Sequence, residues 1–494
     1  MESQVRGFNL LPILPVTADL ILLGVPPTWL SKRKQFLILS KAGKPIYSRH
    51  GTAEELSVNL GVMHTIIASY ESSSDSLQSF AMGDCTCVVL SRGPVLLIAF
   101  SRLDETESQI SNQLEALYNQ ILSTLTLPRL EQIFSNRAST DLRKHLKGTE
   151  SLLDGLSDSF TRGSPASLLS ALECLKLKKT HRHLINNTLL RAKTHSLLYG
   201  LIVAQGKLVS VLRPRRHSLH PGDLHLVFNM LFEADGIKKD LDENWIPLCL
   251  PAFNPNGFVY AYVGFAYDNS HQRSMGSADL EWEEDVALIL ISANRDSFFE
   301  LQKMKRAVVT DLRQNGGLDS IRSAIIEGRP SITKIDPGSL SRHFLYKSRA
   351  NVQYLASDYN SHFLLPWNRR KLYDLYHQLH GDLHSKHNRS KVLHRTAFEC
   401  TSLAWMSASF ELYLIAESGV SKATLGQSAA KIVQWAQSQE ERLFIVGGAV
   451  SSCQAITIVT RSRHANRSSD LLGAASSSGC RTIRHYGHPL KFLL

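Results

Sequence analysis

Residues 34–51, KQFLILSKAGKPIYSRHG, decide how the folded part of the chain begins. Residues 36–39 are a short apolar run, residues 42–45 contain a glycine and a proline, and residues 46–48 are a second short run. A strand, a glycine-containing turn and another strand is the simplest structure for this order of residues. The stretch therefore predicts a β-hairpin.

A helix, a second pair of strands and a longer helix are predicted directly after this hairpin. Residues 87–90 and 95–100 are apolar runs separated by a turn at 91–94, and residues 110–125 repeat apolar side chains at helical spacing. The first helix is indicated by apolar residues three and four positions apart. These residues are Leu56, Leu60, Met63, Ile67 and Tyr70.

The same order of elements recurs twice more along the chain. A repeated β-β-α-β-β-α pattern, with a further strand before the last helix in some units, predicts an α+β fold of three consecutive domains, each an antiparallel sheet packed with helices. In the second unit, strands are predicted at 197–203, 208–212, 245–250, 257–265 and 286–291, with helices at 224–231 and 298–312. In the third, strands are predicted at 343–346, 401–405 and 411–415, with helices at 370–384 and 425–437.

Loop-like composition near Thr194 and at residues 336–338 divides these units. A polar, serine- and arginine-rich stretch without apolar periodicity follows the third unit and is expected to be disordered. The predicted organisation is a lead-in at 1–33, a first domain with trailing helices at 34–193, a second domain at 194–335, a third domain at 336–446 and a disordered basic tail at 447–494.

The composition is that of an ordinary soluble globular protein, with 43% apolar and 20% charged residues in 494. The formal net charge is +11, but from Arg461 onward six cations face Asp470 alone, so the tail carries +5 and the rest +6. An excess of this size suits an anionic membrane surface, or a solvated surface without any partner. Aromatic residues are not interleaved with the basic ones, which argues against nucleic acid as a partner.

Neither the cysteines nor the apolar segments indicate a secreted or membrane-spanning chain. The seven cysteines are scattered without a CxxC pair, which is typical of reduced, cytosolic cysteines. The most apolar stretch, residues 10–29, is interrupted by four prolines and Asp19, and residues 1–6 lack the positive charge of a signal peptide. We therefore expect a cytoplasmic protein.

The common catalytic motifs are not found in the sequence. There is no Walker loop, no GxGxxG before a helix and no GxSxG elbow. The predicted protein is therefore not an enzyme with covalent or metal chemistry, and no cofactor is expected. One acidic run favours a solvated loop over an acid–base pair, and its residues are Glu281, Glu283, Glu284 and Asp285.

Four histidines, at spacings of three, four and three, lie on one face of the helix predicted at 370–384 and just beyond it. Zinc sites do use histidines four residues apart on a helix. Here the nearby carboxylate, Asp382, falls off that face, so the pattern favours a polar helix face over a metal site. The histidines are His377, His380, His384 and His387.

Basic clusters beside strand ends and an aromatic residue are candidate membrane contacts. Arginine next to a short loop or an aromatic ring suits the phosphates of lipid headgroups. The alternative is that each cluster only keeps a loop soluble. The candidate phosphoinositide-binding residues are Arg213, Arg215, Arg216, Trp367, Arg369, Arg370 and Lys371, and a further basic group lies at 176–183.

The chain resembles the SAND family, the Mon subunit of the Mon–Ccz complex, in several motifs that occur in family order. Residues 39–51, LSKAGKPIYSRHG, are similar to the family signature, with His50 in place of a tyrosine. Further matches are 218–224, 247–254, 342–348 and 410–413, and together they span about residues 34–446. The resemblance implies that the three α+β units are longin domains.

The resemblance also implies a function: one subunit of a heterodimeric guanine nucleotide exchange factor for the late-endosomal or vacuolar Rab GTPase. The implied partners are a Ccz-type longin subunit, that Rab, an early-endosomal Rab as a further candidate, and phosphoinositide membranes of endosome, vacuole and lysosome. A longin-type trafficking adaptor or a phosphoinositide-binding tether without exchange activity is the alternative.

In this family the first longin domain is implied to contact both the Ccz subunit and the Rab. The alternative is that its signature only folds the domain, because glycine suits the turn and tyrosine packs. The candidate partner- and Rab-binding residues are Gly43, Lys44, Pro45, Tyr47, Arg49, Leu56, Leu60 and Met63.

Overall fold

A computed structural model describes residues 31–451 apart from 53, 73–74, 138, 216, 218, 234–242, 267–285, 386–390 and 448. Several sequence predictions lie outside these residues. They concern residues 1–30, Arg216, the acidic run Glu281, Glu283, Glu284 and Asp285, His387, and residues 452–494.

The first domain begins with the predicted hairpin and continues as a five-stranded antiparallel sheet. The sequence analysis did not predict strand β3, which has four residues of which only Met82 is buried. The elements are β1 (Lys34–Ser40), β2 (Pro45–Ser48), α1 (Ser57–Ser72), β3 (Ser79–Met82), β4 (Cys85–Arg92), β5 (Val95–Ser101) and α2 (Glu107–Leu125).

A helical segment follows the first sheet. It consists of α3 (Leu127–Asn136), α4 (Arg143–Leu146), α5 (Glu150–Arg162) and α6 (Pro165–Leu169), then the two-residue strand β6 (Leu172–Glu173) and α7 (Lys179–Ala192).

The second domain repeats the arrangement of the first. Its elements are β7 (Leu197–Ala204), β8 (Lys207–Pro214), α8 (Pro221–Glu233), β9 (Asn244–Leu250), β10 (Asn254–Phe265), β11 (Val286–Ser292), a 3-10 turn (Arg295–Ser297), α9 (Phe298–Gln314), α10 (Gly317–Glu327) and α11 (Ile332–Ile335).

The third domain contains two strands that the sequence did not indicate, β13 and β14. Its elements are β12 (Ser341–Ser348), β13 (Gln353–Ala356), a 3-10 turn (Ser361–Phe363), α12 (Pro366–His384), β14 (Val392–Thr396), β15 (Cys400–Met406), β16 (Phe410–Glu417), α13 (Lys422–Ser438) and α14 (Glu440–Leu443), followed by β17 (Ala449–Ser451).

All three sheets have the same strand order. If the five strands of each domain are numbered along the chain, the order across the sheet is 2-1-5-4-3, and neighbouring strands are antiparallel. Helices cover both faces of each sheet, one between strands 2 and 3 and the others after strand 5. The predicted α+β class is therefore confirmed for each of the three domains.

Two additional strands extend the second and third sheets in parallel. Strand β17 pairs with β8, and strand β6 pairs with β13. The residues at 449–451 are thus a strand, which corrects the prediction that the whole of 447–494 is disordered. The two strands also link segments that are far apart in the chain.

The segment predicted to trail the first domain is divided among all three domains. Helix α7 packs in the core of the second domain, where Ile185 and Leu189 are fully buried with Leu197 and Ile202. Strand β6 belongs to the third sheet. By packing, the first domain therefore ends before the predicted boundary at 193.

Helix α2 lies at the centre of the molecule and contacts the other two domains. Asn229 on α8 donates a hydrogen bond of 3.0 Å to the side chain of Gln120 on α2. Gln109, at the other end of α2, donates one of 3.0 Å to the backbone oxygen of His377 on α12. A cavity of about 1320 Å³ lies between the three domains, lined by α2, α8 and α12 among others.

Candidate functional site

The hairpin turn of the first domain lies against helix α1. Gly43 has φ +78°, a left-handed conformation that favours glycine, and a Cβ there would lie 3.2 Å from the ring of His64. His64 Nε2 is 2.8 Å from the backbone oxygen of Lys41. The turn and the helix therefore present one continuous surface, on which Lys44 is exposed and Pro45 half-buried.

The three apolar candidates on α1 and directly before it point inward. Leu56 is fully buried, Leu60 is 4% exposed and Met63 is 1% exposed, all packed against the inner face of the sheet. Their role is to hold α1 on the sheet, so a partner does not touch these side chains in this conformation.

Tyr47 and Arg49 also make contacts within the domain. The Tyr47 hydroxyl donates to Asp154 at 2.6 Å, and burial is the main cause that raises the pKa of this phenol. Arg49 donates two hydrogen bonds to Asp158, at 2.7 and 2.9 Å, and these bonds lower the pKa of that carboxyl. Both side chains attach β2 to helix α5, so substituting Arg49 would act through α5 as well as through any partner.

Of this candidate region, the turn and the outer face of α1 are accessible to a partner. Val58 is 60% exposed, which is high for an apolar side chain in a helix. Sequence reasoning missed it because it chose the periodic apolar residues, and those form the core. We call the following residues the turn–helix surface: Lys41, Ala42, Lys44, Val58, Gly61 and Thr65.

The first basic cluster lies at the end of strand β8. Arg213 is half-buried in the strand, and Arg215 is exposed in the turn that follows. Arg213 also lines the interdomain cavity. Arg215 is thus the described residue of this cluster that is placed to meet a surface.

The second basic cluster lies in the first two turns of helix α12, and its side chains point to different sides of the helix. Arg370 is 8% exposed and donates to the backbone oxygen of Thr161 at 2.7 Å and to Asp374. Arg369 donates to the backbone oxygen of Phe363 at 2.8 Å and stacks on Tyr359 at 4.7 Å. Arg370 therefore joins α12 to helix α5, and its burial corrects its prediction as a membrane contact. Arg369 is half-buried, and its membrane role stays a prediction.

Trp367 and Lys371 do face outward. Trp367 is 62% exposed, and Lys371, four residues later on the same helix face, lies 3.7 Å from Glu399. Leu364 and Leu365, just before the helix, are 58% and 46% exposed. We call Leu364, Leu365, Trp367 and Lys371 the Trp367 patch.

The basic group at 176–183 has internal partners. Lys176 lies 2.8 Å from Glu327 and Lys179 lies 2.7 Å from Glu441. Arg182 is buried and donates to the backbone oxygens of Val209 and Leu175. The group joins α7 to its neighbours.

The histidines predicted to share one face of α12 lie in different surroundings. His377 is 3% exposed and lies 3.9 Å from Glu105 of the first domain. Burial is the main cause that lowers the pKa of His377 to about 4. His380 and His384 stack on each other with ring centroids 4.1 Å apart. Glu411 of strand β16 lies close to both rings. The sequence could not indicate this contact, because Glu411 comes 27 positions after His384.

None of the helices in the described part of the chain is both long and apolar enough to cross a membrane.

Three family descriptions match the chain, in the order of its three sheets. They are the First Longin domain of FUZ, MON1 and HPS1 at residues 34–156, the Second Longin domain at 195–310 and the Third Longin domain at 341–440. Fold and matches together define the class: a protein of three consecutive longin domains.

Several relatives are similar to this protein over most of its length. Vacuolar fusion protein MON1 of Yarrowia lipolytica is 42% identical over 85% of this chain and 76% of its own length. Vacuolar fusion protein MON1 homolog A of Gallus gallus is 32% identical over 85% and 73%, and Protein SAND of Takifugu rubripes 32% over 85% and 77%. The chain belongs to the MON1/SAND family of vacuolar fusion proteins, as the sequence motifs indicated, and these relatives support a role in vacuolar fusion and trafficking.

A bacteriophytochrome structure from R. palustris aligns with 82% of the chain at 8% identity and a TM-score of 0.16, which is too little similarity to bear on fold or function.

Proposed function

We propose that this chain is one subunit of a heterodimeric guanine nucleotide exchange factor for the late-endosomal or vacuolar Rab GTPase. Its partner is a Ccz-type longin subunit, and the complex is recruited from the cytoplasm to endosomal, vacuolar and lysosomal membranes that carry phosphoinositides. The observation that carries the proposal is the 42% identity to a vacuolar fusion protein MON1 across all three longin domains.

An exchange factor of this kind works through a binding surface. It accelerates GDP release if it holds the nucleotide-free GTPase more tightly than the loaded one, because only a difference in affinity shifts the equilibrium. The turn–helix surface supports this proposal. Lys44 and Val58 there are exposed on the first longin domain, and they combine a cation with an apolar side chain.

The decisive experiment is release of fluorescent GDP from a late-endosomal Rab. We expect little release with this chain alone and rapid release once a Ccz-type longin subunit is added. Binding of both partners without faster release would indicate the adaptor, and vesicle binding without either partner would indicate the lipid tether. Strong exchange by the chain alone would contradict the heterodimer.

Two substitutions locate the surface, Lys44→Glu and Val58→Asp. Each exposed side chain can change without a cavity in the core, and we expect the double variant to slow GDP release at least tenfold, the effect of losing about 1.4 kcal/mol of binding. Lys144→Glu, an exposed cation on helix α4, is the matched control and should leave release unchanged. If the double variant pairs with the Ccz subunit and releases GDP at the normal rate, the Rab contact lies elsewhere.

A further inference from the structure

Two histidines and a glutamate meet at the rim of the interdomain cavity. His380 and His384 lie one turn apart on α12, and Glu411 lies on the neighbouring strand β16. One potential ligand atom from each residue lies within 4.8 Å of the other two, and among the described residues no other group of three meets this condition. The three residues all line the cavity.

The hydrogen bonds of His384 determine which of its nitrogens is free. Nδ1 lies 3.0 Å from the backbone oxygen of His380, and a carbonyl oxygen only accepts, so Nδ1 carries the proton. In the neutral ring Nε2 therefore has a lone pair. It lies 3.7 Å from Oε2 of Glu411, so both atoms can act as ligands of one cation placed between them.

Glu411 is held in place from its other side. The carboxylate is 3% exposed, and its Oε2 accepts a hydrogen bond of 3.1 Å from the Tyr413 hydroxyl. Lys347 and Arg349 approach the other oxygen, Oε1, at 3.5 and 3.6 Å. The two cations neutralise Glu411 on the Oε1 side and leave Oε2 facing the imidazole of His384.

We propose that His380, His384 and Glu411 bind a zinc ion, with a fourth coordination position open to the cavity. Two imidazoles and one carboxylate are a ligand set that zinc accepts, and histidines four residues apart on a helix reach one ion. The contacts of His384 with a backbone oxygen and of Glu411 with Tyr413 are the second hydrogen bonds that orient metal ligands. A bound ion would fasten helix α12 to strand β16.

His380 has to give up one contact to bind the ion. Its Nδ1 lies 3.3 Å from the amide nitrogen of Gln109, whose oxygen accepts from the backbone of Thr106, so the amide nitrogen is the donor. When Nε2 binds a metal, Nδ1 carries the proton and this long hydrogen bond is lost. Gln109 keeps its bond to the backbone oxygen of His377.

The test uses the full-length chain without a histidine tag. Zinc affinity is measured by competition with a chromophoric chelator, and cobalt is added to look for the visible absorption of a tetrahedral ion. We expect one ion per chain. His384→Gln, which changes a partly exposed side chain and leaves the Lys347–Glu411 pair intact, should lower zinc affinity at least tenfold. Tyr413→Phe should lower it about tenfold, as loss of a ligand's hydrogen-bond partner does.

The control is His183→Gln, an exposed histidine on helix α7, which should bind zinc like the unchanged chain. Zinc should also raise the unfolding temperature of the unchanged chain and of His183→Gln, but not that of His384→Gln. Thermal unfolding without metal checks that each variant folds. The proposal is overturned if the unchanged chain binds no zinc or cobalt, or if His384→Gln and Tyr413→Phe both bind zinc with unchanged affinity. None of these outcomes depends on nucleotide exchange.

Discussion

Among single residues, Lys34 and Glu105 of the first domain form a buried pair beside His377 of the third domain. Both side chains are fully buried and form an ion pair, and Gln113 donates to Glu105 at 2.9 Å. Burial alone would raise the pKa of Glu105. The charges of Lys34 and His377, together with these hydrogen bonds, outweigh burial and lower the pKa to about 2.

This pair predicts a specific dependence of stability on pH. Because the pKa of Glu105 falls from 4.5 to about 2 on folding, the carboxylate contributes stability above pH 4.5 and loses it as the pH falls towards 2. Glu105→Gln should therefore destabilise the protein strongly at pH 7, and its difference from the unchanged chain should shrink between pH 5 and pH 3 in denaturant unfolding.

Glu107→Gln, exposed in the first turn of helix α2, is the control and should change stability by less than about 0.5 kcal/mol at every pH. Parallel pH curves for Glu105→Gln and the unchanged chain would show that the Lys34 contact does not stabilise the ionised form.

At the scale of elements, helix α12 crosses the start of helix α2 at a glycine. Thr106 is the N-cap of α2 and forms a capping box with Gln109, with hydrogen bonds of 3.3 and 2.9 Å. A Cβ at Gly381 of α12 would lie 2.5 Å from the methyl carbon of Thr106. Thr106 cannot rotate away without breaking its cap, so the two helices need a residue without a side chain here.

We predict that Gly381→Ala destabilises the protein by about 1–3 kcal/mol, although alanine favours helices, because the added methyl overpacks the contact. The matched control is Gly426→Ala in helix α13, where nothing lies within 4 Å of the added Cβ. It should stabilise by up to about 1 kcal/mol. Equal effects of both substitutions on the midpoint of unfolding would mean that α12 and α2 separate easily.

At the scale of the whole molecule, the proposed membrane recruitment has to use side chains that the packing leaves outside. Arg215 and the Trp367 patch meet this condition, whereas Arg370 is buried and binds the backbone oxygen of Thr161. Each exposed cation near an anionic surface contributes about 1 kcal/mol, and an interfacial tryptophan adds apolar contact.

The corresponding prediction concerns vesicles that contain phosphatidylinositol-3-phosphate. The variant Arg215→Ala/Trp367→Ala/Lys371→Ala should co-sediment at least tenfold more weakly at physiological salt, since it loses about 2 kcal/mol from its two cations alone. Lys144→Ala/Lys147→Ala removes the same charge from helix α4 and the residue that follows it, and should bind as before. Equal loss in both variants would point to non-specific attraction by net charge, and no loss would exclude these residues as the docking site.

The sequence by itself determined the three α+β units, their order and the family, because apolar periodicity and contiguous motifs are local properties of the chain. It also placed the long helices and the apolar strands close to where they lie. The strands β3 and β14 were not predicted, because four or five residues with at most one buried side chain give too short a pattern to identify.

The tertiary structure alone decided which candidate side chains are accessible to a partner. Leu60, Tyr47 and Arg370 carry the residue types of a binding surface, yet each is used inside the protein, since burial depends on which elements pack together. Conversely, the helix that carries His384 gains a carboxylate only when strand β16 lies beside it. Contacts between residues far apart in the chain are set by packing, so the composition of each site follows from the arrangement of the sheets and helices rather than from any motif.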